Sequence, residues 1–295
     1  MIYRIRHLTA YSYDTPVASA TLALRVTPRD SAVQRTITHN LDVSPAPASV
    51  VFERDFYGNA VNVVTIEESH TELSISASAE VEVTYPAPLP GPGTDWRKVA
   101  DAALNSHDLS PQAPAHFMFA SPRIQLSADV TRYARESFKP GRGIIEAARD
   151  LMKRIKREFA YEPESTEIWT PLSQAFAARR GVCQDFAHIM IAGLRGLEVP
   201  AAYVSGYLRT VPPPGKERLE GADATHAWVS VWCGDDGWLG FDPTNAIDTG
   251  NDHIALAIGR DFSDVSPVYG VFVGSGANEL HVEVDVIPLP REKAA

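Results

Sequence analysis

Three residues of this 295-residue chain have the types and spacing for covalent chemistry. Cys183 follows Arg180-Gly181-Val182 and precedes Gln184-Asp185-Phe186-Ala187-His188. The glycine releases one element, and the cysteine opens an amphipathic helix. His226 stands in Thr225-His226-Ala227-Trp228, and Asp242 in Phe241-Asp242-Pro243-Thr244-Asn245. A cysteine at a helix start, then a histidine, then an aspartate is the order of an acyl-transfer site. The thiolate is the nucleophile. A helix start offers unpaired N–H groups and partial positive charge that favour an anion. The same N–H groups would stabilise a tetrahedral oxyanion. His226 would take the thiol proton and return it to the leaving amine. Asp242 would accept a hydrogen bond from the imidazole, fixing its tautomer and stabilising the imidazolium. Each residue also has an ordinary reading: a buried apolar cysteine, a hydrogen-bonded histidine, a turn aspartate ahead of Pro243. Their agreement on one chemistry favours catalysis.

The histidine and aspartate must sit on neighbouring strands. Ala227-Trp228-Val229-Ser230-Val231-Trp232 and Trp238-Leu239-Gly240-Phe241-Asp242 read as a hairpin around Gly234-Asp235-Asp236-Gly237. A two-residue turn at Asp235-Asp236 would pair 234 with 237, which places residues 226 and 242 on opposite faces. The triad therefore requires an odd-length loop or a bulge in this hairpin. Upstream, Pro171 to Arg180 reads as a short helix ended by Gly181, and the Cys183 helix runs to about Gly196. Ser127 would cap a helix reaching about Phe138. Ile144, Ala148, Leu151, Met152, Ile155 and Phe159 recur at helical spacing.

Residues 1 to about 85 read as β, in short alternating strands suggesting an antiparallel sandwich. They are Ile2 to His7, Thr21 to Val26, Val50 to Arg54, Ala60 to Ile66, Leu73 to Ala77 and Glu80 to Tyr85. Pro86-Ala87-Pro88-Leu89-Pro90-Gly91-Pro92-Gly93 reads as a linker, because proline at this density cannot join a helix interior or a central strand. The expected organisation is a β-rich domain over 1–88 and a catalytic domain over 89–295. The second domain would be α+β, helices first and an antiparallel sheet after, with a last strand at Val282 to Ile287. Val211 to Gly221 reads as an exposed loop that would gate access. No internal repeat is present.

Other residues were weighed for the same site. Gln184 and Trp228 are candidates for oxyanion or substrate contacts. Trp169, Trp228 and Trp238 would either wall a substrate groove or pack in the core. Cys233 falls on the strand face opposite His226 and is expected to be buried. His188 lies about 140° round its helix from Cys183 and is expected to be structural. No ligand pair at zinc-type spacing neighbours Cys183 or His226. Asp248, Asp252 and His253 are the only calcium candidates, scattered in a loop, so neither metal nor cofactor is expected.

Composition narrows the class. Hydrophobic residues make up 44% and charged residues 22%, ordinary for a globular protein with a sizeable core. Lys and Arg number 27 against 37 Asp and Glu, a net charge of −10. With no basic run, nucleic acid is an unfavoured partner. Two cysteines cannot form a secreted disulfide framework. The first residues lack an apolar signal core, and no apolar stretch has membrane-spanning length. A cytoplasmic location, away from membranes, is the expectation.

These motifs resemble the transglutaminase-like superfamily, in its bacterial and archaeal branch. The resemblance rests on Phe159-Ala160-Tyr161, Gly181 to His188, Pro200 to Tyr207, Thr225 to Trp228, Gly240 to Asn245 and Gly259 to Pro267. The amino-terminal strands resemble the β region often found before that domain. The resemblance implies a papain-like core with Cys183 as nucleophile, His226 as base and Asp242 as orienter. It implies a peptide or protein substrate that supplies an amide carbonyl. Members include crosslinkers, peptidases, deamidases and peptide N-glycanases, and a cysteine protease or amidase is the leading expectation. Vertebrate crosslinkers carry tryptophan directly after the cysteine, where this chain has Gln184. It also lacks their calcium-binding apparatus, which points away from calcium-dependent crosslinking.

Overall fold

The computed structural model describes residues 1–210 and 224–290. The chain opens with β1 (Ile2–Val17), β2 (Ser19–Leu24), β3 (Gln34–Ser44), β4 (Ser49–Arg54), β5 (Ala60–Ile66) and β6 (His70–Val83). After the linker come α1 (Trp96–Leu104), α2 (Ala128–Arg135), α3 (Ile144–Glu158), β7 (Ala160–Tyr161), α4 (Leu172–Ala178), β8 (Arg180–Gly181) and α5 (Cys183–Arg195). Then follow β9 (Ala201–Leu208), β10 (Ala224–Trp232), β11 (Trp238–Asp242), β12 (Ile247–Asp248), β13 (His253–Gly259), α6 (Phe262–Val265), β14 (Val268–Val273) and β15 (Asn278–Leu289). The architecture is α+β: an antiparallel sandwich and a core of helices on an antiparallel sheet. No helix among the described residues is long and apolar enough to cross a membrane.

The sandwich departs from expectation in two ways. Its strands are divided differently, since β6 runs unbroken from His70 to Val83, where two segments were expected between Leu73 and Tyr85. β3 was not anticipated, because its mostly polar residues are half-exposed and give no apolar alternation. More consequentially, the segment from 89 onward does not stay in the second unit. The sheets run β15-β1-β6-β3 and β14-β2-β5-β4, so the last two strands are edges of the sandwich. The alternation of Val282 to Ile287 marks a strand correctly but not its sheet. Val284 and Val286 point into a core shared with Tyr3 and Ile5.

The sheet that carries His226 and Asp242 runs β12-β11-β10-β9-β13. Helix α5 is buried against it along almost its whole length, from Phe186 to Leu194. At its end Arg195 is also buried and donates to the carbonyls of Phe117, Phe119, Ala201 and Arg260. That satisfies a guanidinium that could not be buried unpaired. The preceding helix α4 ends on Arg179 rather than Gly181, in the left-handed region at φ 54°. The Arg179 guanidinium lies against the Tyr133, Phe159 and Phe176 rings, which compensates for a strained backbone. Ser127 precedes α2 but makes no side-chain cap.

Sandwich and second-domain sheet are joined by buried contacts. Tyr3, Ile5, Val81 and Val83 pack on Tyr207, Ile254 and Leu256 of that sheet. β13 is an edge strand, and its outer backbone groups are met by two side-chain amides from the sandwich. Gln34 Nε2 donates to the Ala255 carbonyl and its Oε1 accepts the Ala255 N–H, both at 2.8 Å. Asn59 does the same for Ile258, again at 2.8 Å. A free edge is thus capped without another strand.

Candidate active site

Cys183 is the first residue of α5. The Asp185 carboxylate, one turn in, accepts the Val182 N–H at 2.8 Å and the Thr166 hydroxyl at 2.6 Å. That bond holds the strand-to-helix turn that presents Cys183. The N–H groups of the first helical turn have no intrahelical acceptor and point past the cysteine. The thiol is half-buried in a cavity of about 300 Å3.

His226 and Asp242 meet because the hairpin has an odd loop. Val229 lies opposite Phe241 and Trp232 opposite Trp238, so residues 233–237 form a five-residue connection. Gly234 and Gly237 take positive φ values of 73° and 70° to make it. Residues 226 and 242 then share a face, as the triad requires. His226 Nε2 lies 2.9 Å from Asp242 Oδ2. Cys183 and His226 line the same cavity, and Nδ1 is the ring nitrogen that Asp242 leaves free to face the thiol.

Asp242 is fully buried and gathers five donors. Oδ1 accepts the N–H groups of Thr244 and Asn245 at 2.9 and 3.1 Å. Oδ2 accepts the Asn245 side-chain amide at 2.7 Å, His226, and His253 Nε2 at 3.4 Å. Burial would raise its pKa, but the bonds from His226, His253 and Asn245 outweigh that and hold it well below the usual carboxylate range. Burial likewise opposes the His226 imidazolium, yet Asp242 and Cys183 push its pKa up to about 9.

His253 was placed by its sequence in a loop and considered only for calcium. It opens β13 and is buried behind the triad. Its Nδ1 accepts the Gly250 N–H at 3.2 Å, so a neutral ring carries its proton on Nε2 and donates it to Asp242. The other two calcium candidates are engaged elsewhere. Asp248 pairs with Arg149 at 2.7 Å, and Asp252 with Arg209 at 3.1 Å.

The remaining candidates separate. Gln184 lines the cavity, but its amide donates to the Ile168 carbonyl at 3.3 Å. Trp228 is buried and does not line the Cys183 cavity; it packs behind the site, 5.2 Å from the His253 ring and 6.2 Å from the His226 ring. Its indole packs against both imidazoles and fills the space between them and β9. Gly206, the strand partner of His226, makes room for it: a Cβ there would lie 2.5 Å from the indole and 2.1 Å from the Ile254 carbonyl oxygen. Trp238 packs on Phe117 and donates to the Gln112 carbonyl. Trp169 is exposed, with Arg123 stacked 4.0 Å above it. Cys233 is buried in the core with Val229 and Val231, and burial pushes its thiol up to about 12. His188 is buried, accepts the Phe262 N–H and packs on Tyr203. The loop from Val211 to Gly221 lies outside the described residues.

The His226–Asp242 pair sets a pH window for stability. Folded His226 holds its proton to about pH 9 against 6.5 unfolded. Its contribution is complete below 6.5 and is lost as the pH rises through 9. Asp242 contributes fully above its unfolded value of 3.8, and that is lost as the pH falls toward its depressed folded value. The pair therefore supports the fold most between 3.8 and 6.5. The Tm deficit of His226→Gln relative to wild type is expected to be largest there and to shrink above pH 9. A deficit that stays flat on melting curves across this range would contradict the pairing.

Comparison with known proteins places the chain in a family. Residues 3–82 match the bacterial transglutaminase-like N-terminal region, and residues 129–243 match the transglutaminase-like superfamily. Uncharacterized proteins of Mycobacterium tuberculosis and Mycobacterium bovis are 40% identical over 291 residues, spanning 97% of this chain and 92% of theirs. A protein-glutamine gamma-glutamyltransferase of Pseudomonas aeruginosa is 30% identical over 141 residues, 45% of this chain and 19% of that one. The crystal structure of a candidate cysteine protease from Cytophaga hutchinsonii shares the fold, with a TM-score of 0.76 at 23% identity over 99% of this chain and 92% of that one. Matched in both its sandwich and its core, and related end to end to proteins 40% identical to it, this chain belongs to the transglutaminase-like superfamily.

Proposed function

We propose that the protein is a cysteine-dependent acyl-transfer enzyme that opens amide bonds of peptides or proteins, with water as the final acceptor. The observation that carries this is the chain from buried Asp242 through His226 to Cys183 at a helix start. His226 Nδ1 takes the thiol proton, and Asp242 stabilises the imidazolium so formed. The sulfur attacks the carbonyl carbon, and the C–N bond breaks as the imidazolium protonates the departing nitrogen. A thioester remains on Cys183. Water, losing a proton to His226, attacks it, and the C–S bond breaks to release the acid and restore the thiol. The first-turn N–H groups of α5 would hold the oxyanion in both steps.

Kinship with a protein-glutamine gamma-glutamyltransferase supports a second reading, in which a primary amine resolves the same thioester. The test is mass spectrometry of glutamine-containing and other peptides incubated with the protein, with and without a primary amine, against Cys183→Ala. Cleavage or ammonia loss that requires Cys183 would support the hydrolase. Amine adducts at glutamine would favour the transferase. Identical products from wild type and Cys183→Ala would leave a binding module with a silent site and sink both.

A further inference from the structure

The Cys183 cavity is not a property of the catalytic core alone. Strand β1 uses one face for three purposes in succession. Tyr3 and Ile5 pack on the catalytic sheet, Thr9 and Tyr11 line the cavity, and Tyr13 joins the sandwich interior. Strand β9 makes the complementary passage: Tyr203 packs among the helices, Ser205 lines the cavity, and Tyr207 packs on β1. The cavity fills the gap where the two sheets diverge. Its sandwich wall is completed by β15, whose Val282 lies opposite Thr9 and Leu280 opposite Tyr11, so all four side chains share one face.

We propose that this wall is the binding site for an uncharged apolar side chain, aromatic or branched aliphatic, next to the amide that Cys183 attacks. The proposal rests on the acyl-transfer reading and adds the donor's class. Three observations carry it. Among the described residues lining the cavity, none is lysine, arginine, aspartate or glutamate. A cationic donor side chain would be desolvated there with no counter-charge, and the β1–β15 wall, set apart from His226, offers a carboxylate no cation. The sandwich's histidine in the cavity, His7, has both ring nitrogens engaged, by the Tyr207 hydroxyl at 2.7 Å and the Thr9 hydroxyl at 3.1 Å. Burial pushes its pKa down to about 4, which leaves it neutral. Lastly, Leu280 and Val282 are 52% and 43% exposed at the rim, apolar surface that an occupant would cover. A cavity of about 300 Å3 has room for one such group and its peptide unit.

The test uses alkylation of Cys183, in which the thiolate forms a C–S bond and iodide leaves. Rates with iodoacetamide, N-(2-phenylethyl)iodoacetamide and a carboxylate-bearing analogue are each divided by the rate with glutathione. Modification is read on the Cys183 peptide, which separates it from Cys233. The phenylethyl reagent is expected to gain at least about tenfold over iodoacetamide, and the carboxylate reagent to gain nothing. Leu280→Asp and, separately, Val282→Asp should cut the phenylethyl advantage to below about threefold; both sites are exposed enough to tolerate the change. Equal normalised rates in wild type, or an advantage untouched by both variants, would overturn the proposal. A Cys183 no faster than glutathione toward iodoacetamide would instead overturn the acyl-transfer reading, and the donor assignment with it.

Discussion

Asp242→Asn is expected to slow Cys183-dependent turnover by about 10³–10⁴-fold, the scale seen when a triad carboxylate becomes an amide. The reason lies in the distribution of donors. The two backbone N–H groups fall on Oδ1, while His226, His253 and the Asn245 amide crowd Oδ2. An asparagine satisfies one set with its oxygen and must aim its NH2 at the other. If the amide oxygen keeps the backbone pair, the NH2 donates to His226 Nε2. The ring then carries its proton on Nδ1, facing the thiol it should deprotonate. The fold should survive, because the side chain keeps its shape. The measurement is kcat on a cleaved peptide, with the iodoacetamide rate at Cys183 alongside. A loss smaller than about tenfold would remove Asp242 from the mechanism.

A chain stopped at Val265 is expected to lose the sandwich. β15 pairs with β1 over twelve positions and β14 with β2 over six. Removing them bares β1 and β2 as open edges and empties the places of Val284 and Val286, each worth about 1.5–3 kcal/mol when buried. With the lost ladders, the deficit approaches the roughly 5–15 kcal/mol that holds a typical domain together. Residues 1–265 should therefore melt without cooperativity or precipitate. A cooperative melt within a few degrees of the full chain would show that the sandwich closes without these strands.

The meeting of Cys183, His226 and Asp242 was legible because its constraints are local. Gly181 before Cys183 and the turn glycines at 234 and 237 fixed where elements begin, and strand parity then demanded the odd loop that the hairpin has. His253 was not legible. It follows Asp242 by a stretch that reads as loop, and it meets Asp242 only because β13 crosses the sheet to lie beside β9. Sheet order also hid the home of β15, since alternation reveals that a strand has a buried face and nothing about what buries it. Trp228 carried the opposite ambiguity. An aromatic beside a catalytic histidine suits a groove or a prop equally, and only Gly206 beneath the indole distinguishes them.

The position of β15 also has a consequence during synthesis. Translation delivers Cys183, His226 and Asp242 well before residues 278–289, so these three residues exist on the growing chain ahead of the wall beside them. Until that strand docks, β1 is an open edge and the donor site lacks one side. Order of manufacture gives the molecule a built-in delay, because the selective form of the site appears only once the strand that finishes it has been made.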